Sequence, residues 1–458
     1  MIVVNILIGL VGLGFVVFIH ELGHLVAAKL VGIDVEAFSL GWGRKLVGTT
    51  WRGTEYRISI FPVGGYCKMK GERSYTRALD ENRSEIPKEP GSFFAVAPWK
   101  RIVALAAGPL ANVILAVLIL AVVWLVGFST ETYQNRIILA SEYVAEGEAE
   151  INPADVAGLE TGDIVLAMGG QEVRGYTDIQ QIVARNALAR MAVVVSRSGV
   201  NYELLLTPAL ETDSGSGYIG VYPWVDPVVD QVQEGSPAAA GGVMPGDRIT
   251  SVSGIPIDHT LDIGRVLSTG SFPLAMEVVR EDRTVQLVMP EIEISGGSEN
   301  GIALGIAFQT VLIPSPDLNV FQAIGKGVTE SMNILAVSIR GLRLLFKGVN
   351  ITSAVAGPIR ISYFIGDVAT SSFAVGFGVG VRAVSNFLAL LSVILFFMNL
   401  LPIPVLDGGQ IVLSGIEWLR GKGPHPKTVY RYQLVGGAII FALLFLALFG
   451  DILFLAGR

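Results

Sequence analysis

A chain of 458 residues that is 51% hydrophobic and only 16% charged, with mean hydropathy +0.57, is too apolar for a wholly water-soluble protein and too long for one domain. The net charge of −7 hides a segregation: Arg44, Lys45, Arg52, Arg57, Lys68, Lys70, Lys100 and Arg101 crowd residues 32–101, whereas 130–318 is mostly acidic. The single cysteine, Cys67, excludes an intrachain disulfide framework, and no basic tract interleaved with aromatics points to nucleic acid.

Residues 1–31 read as a retained membrane-spanning helix, because the run is too long for the apolar core of a signal peptide and has no basic residues ahead of it. It contains His20-Glu21-Leu22-Gly23-His24. On a helix, histidines four apart share a face and can hold one zinc ion, while the glutamate between them can take a proton from water. Ionisable groups at membrane depth cost on the order of a few kcal/mol each unless a partner, metal or water cavity compensates. Two of the chain's four histidines fall in this motif, which favours a metal site over a pair of interhelix hydrogen bonders.

Residues 32–101 form a basic loop that the positive-inside rule places in the cytoplasm. Within it, Arg57 through Met69 read as two short strands about a Pro/Gly turn, a hairpin near 57–70. The polar stretch 72–90 reads as mobile. A second span covers 102–128. The following insert divides into 129–222 and 223–314, because Pro153-Ala154, Gly162-Asp163, Gly170 and Asp178-Ile179 recur at identical spacing as Pro237-Ala238, Gly246-Asp247, Gly254 and Asp262-Ile263. This is a duplication. Each copy reads as a short apolar strand at a Gly-Asp turn, a second turn, and an amphipathic helix near 177–189 or 261–268.

Residues 315–372 read as an amphipathic connecting segment. Its stretch 321–348 carries Lys326, Glu330, Arg340, Arg343 and Lys347, which suits a helix lying on the membrane surface better than a fifth span. A third span at 384–401 falls in segment 373–409, a loop at 410–433 holds Arg420, Lys422, Lys427 and Arg431, and a fourth span at 434–455 falls in 434–458. Four spans put both basic loops in the cytoplasm and the acidic insert outside. His259 and His425 read as ordinary surface residues.

After the third span comes Asn399-Leu400-Leu401-Pro402-Ile403-Pro404-Val405-Leu406-Asp407-Gly408-Gly409. Pro402 and Pro404 end the helix near membrane depth, so the unwound chain must face protein or a polar cavity. A two-histidine zinc site needs a third protein ligand and an open position for water. With four spans, the first and third helices descend toward the same side, which gives Asp407 the depth of His20 and His24. The alternative for Asp407 is a helix cap at a surface turn. Asn399 reads as a donor to substrate backbone or oxyanion, or as an interhelix hydrogen bonder.

His20 to His24, Asn399 to Gly409, and Ala107-Gly108-Pro109-Leu110-Ala111-Asn112 together resemble the site-2 protease family of intramembrane zinc metalloproteases, in the arrangement of its bacterial RseP type. The resemblance covers essentially the whole chain. It implies Zn2+ held by His20, His24 and Asp407, with Glu21 as catalytic base. It also implies a substrate path past Asn399, Pro402, Pro404 and the hairpin's Gly64 and Gly65, the hairpin dipping into the bilayer and offering an edge to unwound substrate. The repeats resemble tandem PDZ domains, which bind extended peptides or C-termini by strand addition. The expected fold is therefore a polytopic α-helical membrane protein of four transmembrane helices. It carries an extracytoplasmic insert of two PDZ-like α+β domains and a short membrane-associated β-hairpin.

The resemblance further implies a multi-pass protein of the bacterial inner membrane, with PDZ-like domains in the periplasm and the active site toward the cytoplasm. Its substrates are single-span membrane proteins, such as an anti-sigma factor already shortened outside, and remnant signal peptides. The insert either captures peptide or excludes bulky substrates by size. Two other readings stay open to the residues alone. One is a membrane-anchored zincin acting on non-membrane polypeptide, against which stands Asp407 at a membrane-depth break. The other is a peptide-binding receptor with structural zinc, against which stands Glu21.

Overall fold

The computed structural model of the protein describes residues 2–143, 151–211, 215–269, 273–290, 304–344 and 357–456. The chain forms two compact units, Met1–Phe128 with Pro316–Arg458, and Ser129–Ser315. In the first, four helices among the described residues are long and apolar enough to cross a membrane: Ile2–Val31, Pro98–Val126, Phe377–Asn399 and Pro426–Leu455. The last three begin ahead of their apolar runs. Pro98 and Pro426 open their helices where a missing N–H costs nothing, and Arg382 is absorbed by stacking on the Phe128 ring.

Glycines let the helices approach backbone to backbone. A side chain on Gly23 would run into the Ala107 carbonyl of the second span, and one on Gly9 or Gly366 would join the first span and helix Pro358–Val375 in collision. That helix corrects the expectation of one amphipathic connector over 315–372. Its N-terminus is capped by buried Asp451 of the fourth span, which accepts from the Gly357 and Ile359 N–H groups at 2.9 and 3.0 Å. The preceding helix, Val320–Leu344, is not among the four candidate spans. It does not simply lie on a surface: Gly327 abuts Val117, and Ile334 and Leu335 pack on a core of Ala116, Leu120, Ala389 and Val393. Lys347 and the end of the expected helix lie outside the described residues.

The hairpin also differs from expectation. Strands β1 (Val35–Trp51) and β2 (Thr54–Met69) turn at Arg52-Gly53, both at positive φ. Both strands bend, so Ala37 to Leu40 pair with Glu55 to Ile58 on one side and with Lys68 to Gly65 on the other. The two segments expected to pair with each other therefore flank a third. The Pro/Gly stretch is a crossover and not the turn of a two-stranded hairpin, and Gly65 to Met69 form a sheet edge.

The second unit shows the duplication in three dimensions. Strands Ile164–Met168, Gln171–Glu172, Met191–Arg197 and Val200–Leu206 make one four-stranded antiparallel sheet, and Arg248–Val252, Ile255–Pro256, Leu274–Arg280 and Arg283–Met289 make the other in the same order. Helices Tyr176–Arg185 and Thr260–Thr269 accompany them, with a separate apolar core for each copy. The Gly-Asp turns now have a cause. Asp163 and Asp247 are buried and take bidentate hydrogen bonds from Arg197 (2.7 and 2.8 Å) and Arg280 (2.7 and 2.7 Å). His259 is not a surface residue: it is 4% exposed, lies against Trp224, and bonds the Tyr143 hydroxyl at 3.0 Å. His425 is exposed and accepts from the Lys427 N–H at the start of the fourth span. Strands Ser129–Thr132 and Val311–Pro314 pair antiparallel, so the insert enters and leaves at one point.

Candidate metal centre

His20 and His24 sit four apart on the first span, both buried, with their Nε2 atoms 3.2 Å from one another. Asp407 Oδ2 lies 3.3 Å from His20 Nε2 and 3.4 Å from His24 Nε2. Zinc–ligand bonds of about 2.0–2.1 Å at tetrahedral angles put neighbouring donor atoms roughly 3.3 Å apart. Two imidazoles and a carboxylate at this spacing fit one zinc ion with a fourth position left over. His24 Nδ1 faces the Ala104 carbonyl at 2.9 Å, which holds the proton on Nδ1 and leaves Nε2 free for metal.

The sequence delivers Asp407 through a shaped break. The third span ends at Asn399, and the chain turns through Pro402 and Pro404 before helix Asp407–Arg420 begins. Val405 sits at φ +85°, a strained conformation for a β-branched residue that the surroundings must enforce. Gly408 and Gly409 nest against the Leu400 and Ile403 carbonyls with no room for a side chain, and Gly436 of the fourth span does the same against Pro404. The Tyr432 hydroxyl donates to the Gly409 carbonyl at 2.9 Å. At the far end of the short helix, Glu417 pairs with buried Arg101 of the second span at 2.6 Å, beneath Phe93 and Phe94. Second and fourth spans thus clamp the segment that carries the carboxylate.

Glu21 is half-buried next to this cluster, with the Cys67 amide N–H on its carboxylate and Gly65 against its side chain. Asn399 Nδ2 lies 3.4 Å from His20 Nε2. The other expected substrate contacts separate. Gly65 is beside Glu21, Gly64 lies against Trp42, Pro402 is exposed, and Pro404 is buried under Gly436. The sequence reading missed Ala104, Arg101 and Glu417. Opposite charges, Arg101 at the start of the second span and Glu417 in the short helix after the break, were the available signal for the latter pair.

An HExxH motif on one membrane-type helix, with a carboxylate brought to it from the break that follows another, is the arrangement of a membrane-bound zinc metalloprotease. The family model described as Peptidase family M50 matches residues 8–443, and the chain belongs to this family. It is 37% identical to a protein of Treponema pallidum named as a zinc metalloprotease, over 99% of each chain. It is 30% identical to the regulator of sigma E protease of Salmonella typhi, over 96% of this chain and 97% of that one. A protein of Vibrio cholerae, also named as a zinc metalloprotease, is 28% identical over 98% of each.

Proposed function

We propose that the protein hydrolyses peptide bonds within or near the transmembrane segments of single-span membrane proteins. The observation that carries this reading is the origin of the donor atoms. His20, His24 and Asp407 come from a membrane-type helix and from the break that follows another, and lie within 4.8 Å of one another. A helix in lipid hides its amides, so a substrate must unwind locally before its carbonyl is reachable. The edge segment Gly65 to Met69 beside Glu21 suits the addition of an unwound strand.

When bound by His20, His24 and Asp407, zinc supplies a Lewis acid that polarises the scissile carbonyl and acidifies a water molecule. Glu21 accepts the water proton and returns it to the departing amine. Asn399 donates its amide N–H toward the substrate backbone and holds the carbonyl in place. Ala104 fixes the ring of His24, and the clamp on helix Asp407–Arg420 fixes the carboxylate.

The basic loops on either side of the paired motifs support a site toward the cytoplasm of a bacterial inner membrane, with the acidic insert in the periplasm. The likeness to a regulator of sigma E protease supports an anti-sigma factor as substrate, with remnant signal peptides as a second class. The duplicated insert domains, read as PDZ-like, act as a size filter on substrate ectodomains. The test is cleavage of a detergent-solubilised single-span protein by the full chain. Wild type should cut without chelator and stop with it, and Glu21→Gln should not cut. Undiminished cleavage by Glu21→Gln contradicts the mechanism.

A further inference from the structure

Ala104, Gly108 and Asn112 recur every four residues on the second span, one per turn, and all three face the histidine pair. The Ala104 carbonyl takes His24 Nδ1 at 2.9 Å. Gly108 leaves the space that the His24 ring fills, since any side chain there would collide with it. Asn112 is fully buried, and its side-chain amide meets His20 Nδ1 at 3.3 Å. The other amide atom, Oδ1, is buried with no hydrogen-bond partner.

A histidine that gives Nε2 to a metal carries its proton on Nδ1 and needs an acceptor there. In the orientation observed, Asn112 offers His20 a donor and leaves its oxygen unused. The two ends of a planar amide have nearly the same shape, and a half-turn about the last side-chain bond exchanges them. That half-turn brings the unpartnered oxygen to the Nδ1–H of His20.

We propose that Asn112 is the positioning residue of His20, its side-chain oxygen accepting the Nδ1–H and thereby aiming Nε2 at the metal. Ala104 does the same for His24 through the backbone. The second span then contributes no ligand but sets the tautomer and ring plane of both histidine ligands. This rests on the zinc site described above, so zinc binding by the wild type is the control. A wild type that binds no zinc would fail that reading and not this one.

The experiment is competition between a chelator of known affinity and the full-length purified protein for zinc. Asn112→Leu keeps the bulk and removes the acceptor, and should weaken zinc binding by about 10- to 100-fold, the usual cost of losing such an orienting bond. Asn112→Asp restores an acceptor and should return the affinity to within a few-fold of wild type. Thermal unfolding of the zinc-free proteins should be the same for all. Should Asn112→Leu not fold, Asn112→Ala carries the same expectation in a smaller side chain. Wild-type zinc affinity in a folded Leu or Ala variant overturns the proposal. So does a folded Asn112→Asp variant as weak as the variant without an acceptor.

Discussion

In the proposed mechanism Glu21 differs from its neighbours in the centre by contributing a proton acceptor and not a metal bond. Glu21→Gln should therefore bring cleavage below detection, a loss of at least about 10²-fold, the lower end of what a positioned base contributes, while metal analysis finds zinc still bound. Loss of zinc in step with activity would move Glu21 into the ligand set. Asp407→Ala should lose both zinc and cleavage on dialysis. Asn399→Ala should retain zinc and lose about 10²–10³-fold in turnover, as removal of a substrate-facing donor does. An unchanged rate removes Asn399 from the reaction. His20, His24 and Asp407 were legible because one spacing rule and one helix-breaking motif mark them locally. The Ala104 and Asn112 contacts were not, because partners some 80 to 92 positions away leave no periodic trace. His259 was misread for the same reason: a lone histidine beside a turn carries no sign that Trp224 and Tyr143 will cover it.

At the level of elements, the repeated Asp–Arg pairs anchor the Gly-Asp turn to the third strand of each sheet. The buried position of Asp247 would by itself raise its pKa, but the Arg280 hydrogen bonds and charge and the Met244 N–H outweigh this and hold it below the ordinary value of 3.8. Its stabilisation is thus present above that value and lost as pH falls through the lowered one. Burial lowers the pKa of His259 below the ordinary 6.5, so the folded state prefers it neutral. Stability should therefore decline as pH falls below 6.5, and decline again below 3.8. The protection of residues 248–290 in the full chain against hydrogen exchange, taken relative to the intrinsic exchange rate at each pH, should fall between pH 7 and 5, and His259→Gln should flatten that change. Wild-type protection that does not change with pH contradicts the assignment. Arg280→Met should destabilise the second repeat by about 3 kcal/mol, because Asp247 would stay buried and unpaired. The spans and the duplication were readable from hydropathy and repetition. Helix Pro358–Val375 was not, because Gly366, Asp367 and Thr370 dilute its apolar signal while serving its close packing on Asn5. The hairpin was misjudged because sequence shows where strands are but not that Val35 to Leu40 come between two of them.

For the whole molecule, the shared depth of the two motifs depends on an even number of crossings between them and the basic loops. In a Cys67→Ser background, cysteines at Ser84 and Gly421 should label from the same, cytoplasmic side. Cysteines at Ser214 and Ser298, both outside the described residues, should label from the other. Opposite sidedness for positions 84 and 421 breaks the arrangement. The paired strands Ser129–Thr132 and Val311–Pro314 offer a clean excision: removing residues 133–310 and closing the ladder with a short turn leaves the membrane unit's connections adjacent. As a size filter, the insert once removed should let the enzyme cut a substrate that keeps its full ectodomain, with the shortened form cut as before. As a peptide-capture device, its loss should raise KM for the shortened form. A folded deletion variant that still rejects the full-length substrate rules out the filter.

The most direct measurement is the position of the cut. Purified full-length protein with zinc should be incubated with a single-span substrate whose ectodomain has been trimmed, and the products weighed by mass spectrometry. A site built from His20 and His24 on one membrane-type helix and Asp407 at the break that follows another predicts new termini inside or at the edge of the substrate's apolar segment, absent with Glu21→Gln and absent with chelator. Termini only in soluble parts of the substrate, produced equally from a version lacking its apolar segment, would contradict an intramembrane protease.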